Sequence, residues 1–300
     1  MSSLFRGRYT KDRVLFNGAG VVIIALLAAV CILPFVLILS ASLTKEDSII
    51  QHGYRLIPKV WSADAYAFLF RFPQQMLQAY GVTIAITLVG TGIGLFLTAM
   101  TAYALQRQDF KWRNGFSFFF FFTTLFSGGL VPYYLLVSNY LQMKDTFAVL
   151  IVPGLLNVFH ILIMKTFMRG IPDAITESAK IDGAGDFTIF LRLILPLSKP
   201  ALATIGLFAA LGIWNDWYTA LLFITEDKLM PLQYYLYRML GNLDGLKRAM
   251  LQSGAVIQVS LPSESLKMAM TIVATGPIFL AYPFVQRYFV KGLTIGAVKG

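Results

Sequence analysis

The stretch Gly18–Leu39, GAGVVIIALLAAVCILPFVLIL, carries no charged side chain from end to end. Wound as an α-helix, at about 1.5 Å of rise per residue, it crosses a hydrocarbon core about 30 Å thick. A helix is also one of the few structures that satisfies its own backbone polar groups in lipid. Arg6, Arg8, Lys11 and Arg13 precede the stretch, and Ser40-Ala41-Ser42 after it faintly resembles a signal-peptide cleavage site. Its apolar run exceeds the roughly 7–15 residues of a signal core, so it is expected to remain as a membrane helix.

The rest of the chain repeats this pattern. Apolar segments run from about Asn17 to Ala41, Leu77 to Leu105, Gly115 to Val137, Phe147 to Phe167, Ala201 to Ile224 and Met268 to Phe289, giving six expected spans. Composition agrees, with 57% hydrophobic and 13% charged residues over 300 positions, against about 25% charged in soluble domains. The expected class is an all-α integral membrane protein with a six-span domain over residues 17–290. A short N-terminal segment, 1–16, and a tail, 291–300, flank it.

Six spans put both termini on one side. Lys and Arg concentrate in the connections that share that side: the N-terminal segment, Arg107 to Arg113, Lys165 to Lys199, and the tail from Arg287. The outside connections hold fewer, nearly all in the two long ones, about 42–76 and 225–267. The cation bias therefore predicts cytoplasmic termini. It also accounts for the net charge of +10, which gives no reason to expect a nucleic-acid partner. Cys31 is the single cysteine, which excludes an intrachain disulfide and a Cys-based metal site.

Gly90 and Gly94 lie four apart, with Gly92 between them, a pattern that lets another helix backbone approach closely. Pro34, Pro132 and Pro283 interrupt spans, and Gly128-Gly129 stands just before Pro132, as in helices kinked beside a cavity or simply irregular ones. No strong internal repeat is present. Transport folds made of fused halves normally show one, so a partner chain is expected to complete the pathway.

The connection between spans four and five, about 170–197, is the most informative. Gly170-Ile171-Pro172-Asp173 predicts a helix start, with Pro172 at the first helical position and Asp173 favoured by the helix dipole. Ala174, Ile175, Ser178 and Ala179 would give that helix a small-residue face, and Gly183 and Gly185 would end it. A further helical turn from Asp186 to Leu193 leads to Pro196 and Pro200. Asp173, Glu177, Asp182 and Asp186 outnumber Lys180 and Arg192 here, so a protein groove suits this helix better than anionic lipid.

These residues resemble the EAA loop of ATP-binding-cassette importer permeases. That pattern is Glu-Ala-Ala, three residues, Gly, nine residues, then Ile-x-Leu-Pro. Glu177, Ser178 and Ala179 fill the first places, Gly183 follows, and Leu193-Ile194-Leu195-Pro196 closes it. Ser178 for Ala and Leu193 for Ile are conservative departures. Asp182-Gly183-Ala184 and the run from Leu195 to Thr204 are similar to the carbohydrate branch typified by the maltose permease. Trp214-Asn215-Asp216-Trp217 resembles that branch's Trp-Asn-acid-aromatic signature. The ending from Tyr282 to Gly292, closing with Gly296-Ala297-Val298-Lys299-Gly300, resembles family tails.

The resemblance implies a type I importer permease fold in a bacterial inner membrane. Its partners would be a second permease subunit, usually a different chain, an ATPase dimer and an extracytoplasmic sugar-binding protein. Glu177, Ser178, Ala179, Asp182, Gly183, Ala184, Leu195 and Pro196 would couple to the ATPase. No Walker A sequence occurs in this chain, so ATP and Mg would be bound by the partner and no cofactor by this chain. An oligosaccharide is the implied cargo, with an acidic, uronate-containing one as a guess.

Pathway candidates are the polar and aromatic residues of the spans. Asp216 lies 16 residues beyond Pro200, about 24 Å along a helix, and an ionisable residue within a span is a functional candidate. Asp216 and Asn215 serve equally as bonds between helices. Asn157 and His160 share a face of span four, either lining a cavity or meeting a neighbour. Tyr133 and Tyr134 can stack on sugar rings or belong to an aromatic belt, and Trp214 beside Asn215 is a further pathway candidate. An ion-coupled carrier using Asp216 and His160 is the rival function. A membrane enzyme is disfavoured, because His52 and His160 lie in different segments and no HExxH-type cluster exists.

Overall fold

The computed structural model describes residues 11–253 and 263–297. Arg6 and Arg8 of the expected cytoplasmic segment, and Val298-Lys299-Gly300 of the tail, lie outside the described residues. Among those described, the regular elements are helical, with one isolated antiparallel bridge between Thr44 and Trp61. The chain forms two compact units, one containing the described residues up to Arg71 with Leu243–Thr275, the other Phe72–Asn242 with those from Gly276 on.

The first unit begins with α1, Lys11–Ser42, in which Pro34 lies inside the helix without ending it. The most apolar 18 residues of its part Leu15–Ser42 have a mean hydropathy of 3.3, and Leu15, Ile24 and Val30 are each more than 60% exposed. Such a surface belongs in lipid or against another chain. The expected outer loop contains α2, Glu46–His52, and α3, Asp64–Leu69. Ser42 and Tyr66 share a hydroxyl hydrogen bond of 2.8 Å.

The second unit is built on α4, Pro73–Gln106. Met76, Ala79, Thr83, Ile86, Gly90, Gly94, Thr98, Ala102 and Leu105 are buried along it, recurring every three or four positions as one helical stripe demands. Next come α5, Arg113–Leu125, and α6, Leu130–Leu135, which a π-turn extends to Tyr140. Short 3-10 turns over Phe147–Leu150 and Val152–Gly154 precede α7, Val158–Met168. The connection from α7 onward, expected to be cytoplasmic, holds α8, Asp173–Ile181, α9, Asp186–Ile189, and α10, Leu195–Leu197.

The remaining elements are α11, Lys199–Trp214, α12, Tyr218–Phe223, α13, Leu232–Ser253, and α14, Ser263–Ala297. The described residues of the expected outer connection 225–267 are thus largely helical, and α14 continues past the expected boundary at residue 290.

Three expected spans are broken. Span three is α5 and α6 with its π-turn, bent by 115° across residues 126–129. Gly129 supplies the bend with φ +87, and Pro132 falls in the first turn of α6, where a missing N–H costs nothing. Span four bends by 51° between the 3-10 turns and α7. Span five stops at Trp214 and resumes at Tyr218. Among the described residues two single helices are long and apolar enough to cross a membrane, or up to five elements if each bent pair counts as one.

Two core clusters lie along α4. One joins Ala99, Ala102 and Tyr103 to Met164 and Met168 of α7, Phe190, and Ile205 of α11. The other joins Ile86 to Val149, Ile151, Phe223 and Tyr234. In lipid, close packing rather than water exclusion holds such clusters. The expected glycine seam is met in part: a β-carbon on Gly94 would lie 3.1 Å from the carbonyl oxygen of Leu155, which stands in the break before α7 rather than on a helix, and one on Gly90 2.9 Å from a side-chain atom, Ile213 Cδ1. Gly92 meets nothing within 4 Å.

Candidate functional site

Where α4, α7 and α11 meet, the second unit encloses a cavity of about 430 Å³, within the roughly 300–1,000 Å³ of ligand pockets. Gly90, Gly94 and Thr98 form one wall, Leu155, Asn157 and His160 a second, and Phe208, Gly212, Asp216 and Thr219 a third. The small residues of α4 serve twice, admitting neighbouring helices and leaving this space open.

Two of the expected polar residues turn out to bond helix starts at the span breaks, Asn157 as the N-cap and Asp216 from the place before the cap. Asn157 is the N-cap of α7, its side-chain oxygen accepting the His160 backbone N–H at 3.2 Å. Asp216 does not stand on a continuous helix, as the spacing from Pro200 suggested. It lies in the break after α11, and its Oδ1 accepts the backbone N–H groups of Tyr218 and Thr219 at 3.0 and 3.1 Å. Breaking a helix frees backbone donors in a low-dielectric region, and each cap satisfies them. The breaks therefore bring polar groups to the cavity wall at depths where a continuous apolar helix would present none.

The other candidates are placed differently. Tyr133 and Tyr134 pack on Phe223, edge-on at 5.7 Å and stacked at 5.5 Å between ring centroids, and are not among the cavity-lining residues. Trp214 ends α11. Asn215 donates to the Leu211 carbonyl at 2.8 Å and accepts from Gln233 at 3.3 Å. Thr98, Leu155 and Thr219 were not anticipated, because nothing in their local sequence separates a cavity-facing residue from a buried one.

The second candidate site is the α8 loop. Pro172 is the N-cap, with ψ 132, and Asp173 takes the first helical position, one place later than the sequence suggested. The expected small-residue face is divided: Ile175 and Ala179 are half-buried, whereas Ala174, Glu177 and Ser178 are exposed. Ala179 and Ala184 pack on the chain's own core cluster.

The helix ends in a Schellman motif. Gly183, at φ +78, donates to the Lys180 carbonyl at 3.0 Å and Ala184 to the Ala179 carbonyl at 2.9 Å. Asp182 is the exposed C-cap. Gly185 has φ −70 and is the N-cap of α9, so it takes no part in the left-handed turn. Leu195 and Pro196 form α10 after a π-turn, and Ser198 caps the carbonyl of Ile194 at 2.8 Å where the chain turns 80° into α11.

A charged network grips this loop from the end of α4. Arg107, whose side chain is 16% exposed, pairs with Asp109 and Asp186. Lys180 reaches Asp109 at 3.1 Å. The hydrogen bonds from Arg107, joined by those from Lys180, hold the Asp109 carboxyl well below the usual carboxylate range.

Residues 94–295 match the family described as "Binding-protein-dependent transport system inner membrane component". The chain is 39% identical to Protein LplC of Bacillus subtilis over the full length of both. It is 38% identical to the polygalacturonan/rhamnogalacturonan transport system permease protein YtcP of the same organism, covering 91% of this chain and 94% of the relative. Among solved structures it is similar to a bacterial ABC transporter involved in the import of the acidic polysaccharide alginate, with a TM-score of 0.77, 27% identity, and 94% and 99% of the two chains covered.

Proposed function

Because the chain belongs to the family of binding-protein-dependent transport system inner membrane components, and is thus the permease component of an ABC importer, we propose that it carries acidic oligosaccharides through the cavity beside α4 and takes its drive through α8. The observation that carries this reading is the position of the α8 loop. It is the direct connection between α7 and α11, and both of those helices wall the cavity. A displacement of α8 must therefore act on the two helices that bound the passage.

The expected topology fits this reading. Six spans, with α14 as the last, place both termini and α8 on the cytoplasmic side, where the cation bias puts them. There α8 presents Glu177, Ser178 and Asp182 outward to a partner, while Ala179 and Ala184 tie it to the core. ATP and Mg would be held by an ATPase dimer. A second permease would complete the passage, and an extracytoplasmic binding protein would deliver the cargo. The uronate-rich cargo is supported by the named substrates of YtcP and of the alginate transporter.

The test is to purify the tagged chain from its host in mild detergent, identify what accompanies it by mass spectrometry, and assay the assembly in vesicles. A Walker-A ATPase and a second permease in comparable amounts, with ATP-dependent uptake of an oligogalacturonate or oligoalginate, are expected. Uptake of neutral oligosaccharides alone would overturn the cargo assignment. An intact chain that comes down alone and moves substrate without ATP would overturn the coupling.

A further inference from the structure

The α8 loop is held at three points, and all three grips come from consecutive residues just past the end of α4, the first of them, Arg107, being its C-cap. Gln108 Nε2 lies 3.5 Å from Asp173 Oδ2 in the first turn of α8. Lys180, in the last turn of α8, reaches Asp109 Oδ2 at 3.1 Å. Arg107 spreads its guanidinium over both sides, Nε donating to Asp109 Oδ1 at 2.7 Å and the other nitrogens meeting Asp109 and Asp186. Asp186 opens α9, so the grips span the start of α8, its end, and the element after its left-handed turn. The Tyr103 ring, one turn back along α4, supports the guanidinium at 5.7 Å and packs on Phe190 at 5.4 Å.

From this end α4 runs unbroken for 34 residues to the cavity wall. Thr98 is nine residues from Arg107 and Gly90 seventeen, about 14 and 26 Å along the axis. The covalent route into α11, by contrast, passes through a π-turn and an 80° bend. A continuous helix conveys a displacement along its axis without a joint. A hinged connection absorbs part of it. We propose that Arg107 is a positioning residue for transport: with Asp109 and Asp186 it locks α8 to α4, so that movement of α8 reaches the cavity wall through α4 as well as through α7 and α11.

This rests on the importer reading above, with α8 as the element that the ATPase moves. A guanidinium suits the role because its planar fork binds two carboxylates at once, which a lysine ammonium does not reproduce. The exposed ends of the network, Asp109 and Asp186, are about half-exposed. Its purpose is therefore better sought in the geometry it fixes than in stability, to which exposed pairs add little.

The experiment uses the whole assembly, reconstituted in vesicles with its binding protein and a sugar that the unaltered protein imports. ATP hydrolysed per sugar imported is the readout, together with the amount of ATPase retained on the tagged chain. Arg107→Gln is expected to retain the ATPase and raise ATP per sugar by about fivefold, within the range of mutations along coupling networks. Arg107→Lys should fall between. Asp109→Asn combined with Asp186→Asn, which alters exposed positions and spares the fold, should match Arg107→Gln. An unchanged ratio in both of these would overturn the proposal, as would import and hydrolysis falling in parallel, the signature of a merely structural role. If the unaltered assembly lacks an ATPase or imports without ATP, the importer reading itself fails, and the proposal with it.

Discussion

Gly94 of α4 faces the main chain of Leu155 so closely that a β-carbon would stand 3.1 Å from its carbonyl oxygen. Backbone cannot swing aside as a side chain does. Gly94→Ala is therefore expected to lower stability by about 1–3 kcal/mol, as overpacking does. Gly92→Ala, which meets nothing, should be neutral or stabilising by up to about 1 kcal/mol, as Ala is against Gly in a helix. Thermal unfolding of the two variants in one detergent compares them directly, and equal losses would show that the seam is not a close backbone contact.

Gly183 needs its left-handed angle, whereas Gly185 does not. Gly183→Ala should cost about 1–2 kcal/mol of strain, and Gly183→Asn less, since Asn tolerates that region. Gly183→Arg is expected to reach the membrane in normal amount yet import little sugar. Gly185→Ala should behave as the unaltered protein. Normal sugar uptake by Gly183→Arg would remove the Schellman turn from the mechanism.

Within the first unit, Glu46 is 5% exposed and caps α14 from a distance in sequence. Its carboxylate accepts from the Ser263 hydroxyl, the Glu264 backbone, and both the backbone and hydroxyl of Ser265, at 2.9–3.1 Å. Glu46→Ala strands these donors, each hydrogen bond to a charged group being worth about 1.5–3 kcal/mol. Hydrogen exchange should show the Glu264 and Ser265 amides losing protection. Retained protection would mean that other groups satisfy them.

Asp216 and His160 separate the two uses of the cavity wall. Asp216→Asn can cap α12 as Asp does and is expected to keep both stability and sugar KM. Asp216→Ala should lose about 1 kcal/mol of stability, the usual worth of a cap. His160 lines the cavity, and its backbone N–H, not its ring, donates to the Asn157 cap, so His160→Ala should raise KM severalfold while leaving unfolding nearly unchanged. A raised KM in Asp216→Asn would place that carboxylate in contact with sugar.

Two exposed carboxyl groups outside the spans contribute a small acid sensitivity. The Thr225 side chain and backbone bonds hold Asp145 below its ordinary range, and Arg107 and Lys180 do the same for Asp109. A lowered folded-state value stabilises above the unfolded value of about 3.9 and is lost as pH falls below it. Unfolding midpoints should therefore drop as pH falls below about 4, and go on dropping towards the lowered folded-state values, and Asp145→Asn should flatten that fall. An identical fall in Asp145→Asn would assign the sensitivity to other groups.

Much of this molecule is legible without coordinates. The apolar runs settle membrane residence because burying an unpaired charge in lipid is costly at any position, whatever the neighbours. The spacing from Glu177 to Pro196 marks the α8 loop because a short helix, a left-handed glycine and a proline-led turn are local events. Gly90 and Gly94 announce close packing for the same reason. Gly128-Gly129 before Pro132 marks the break at 126–129 in the sequence itself, whereas those at 155–157 and 215–217 are not legible, since hydropathy sums transfer energies and is indifferent to whether the helix continues. Asn157 and Asp216 read as polar residues in spans, and only the path of the chain makes them caps on a cavity. Tyr133 and Tyr134 read as sugar-stacking or belt aromatics, and only the tertiary structure sets both rings against Phe223, distant in sequence. The grip of Arg107 on Asp186 joins residues 79 positions apart. A pairing of that range depends on how α4 and the α8 loop pack, which only the tertiary structure decides.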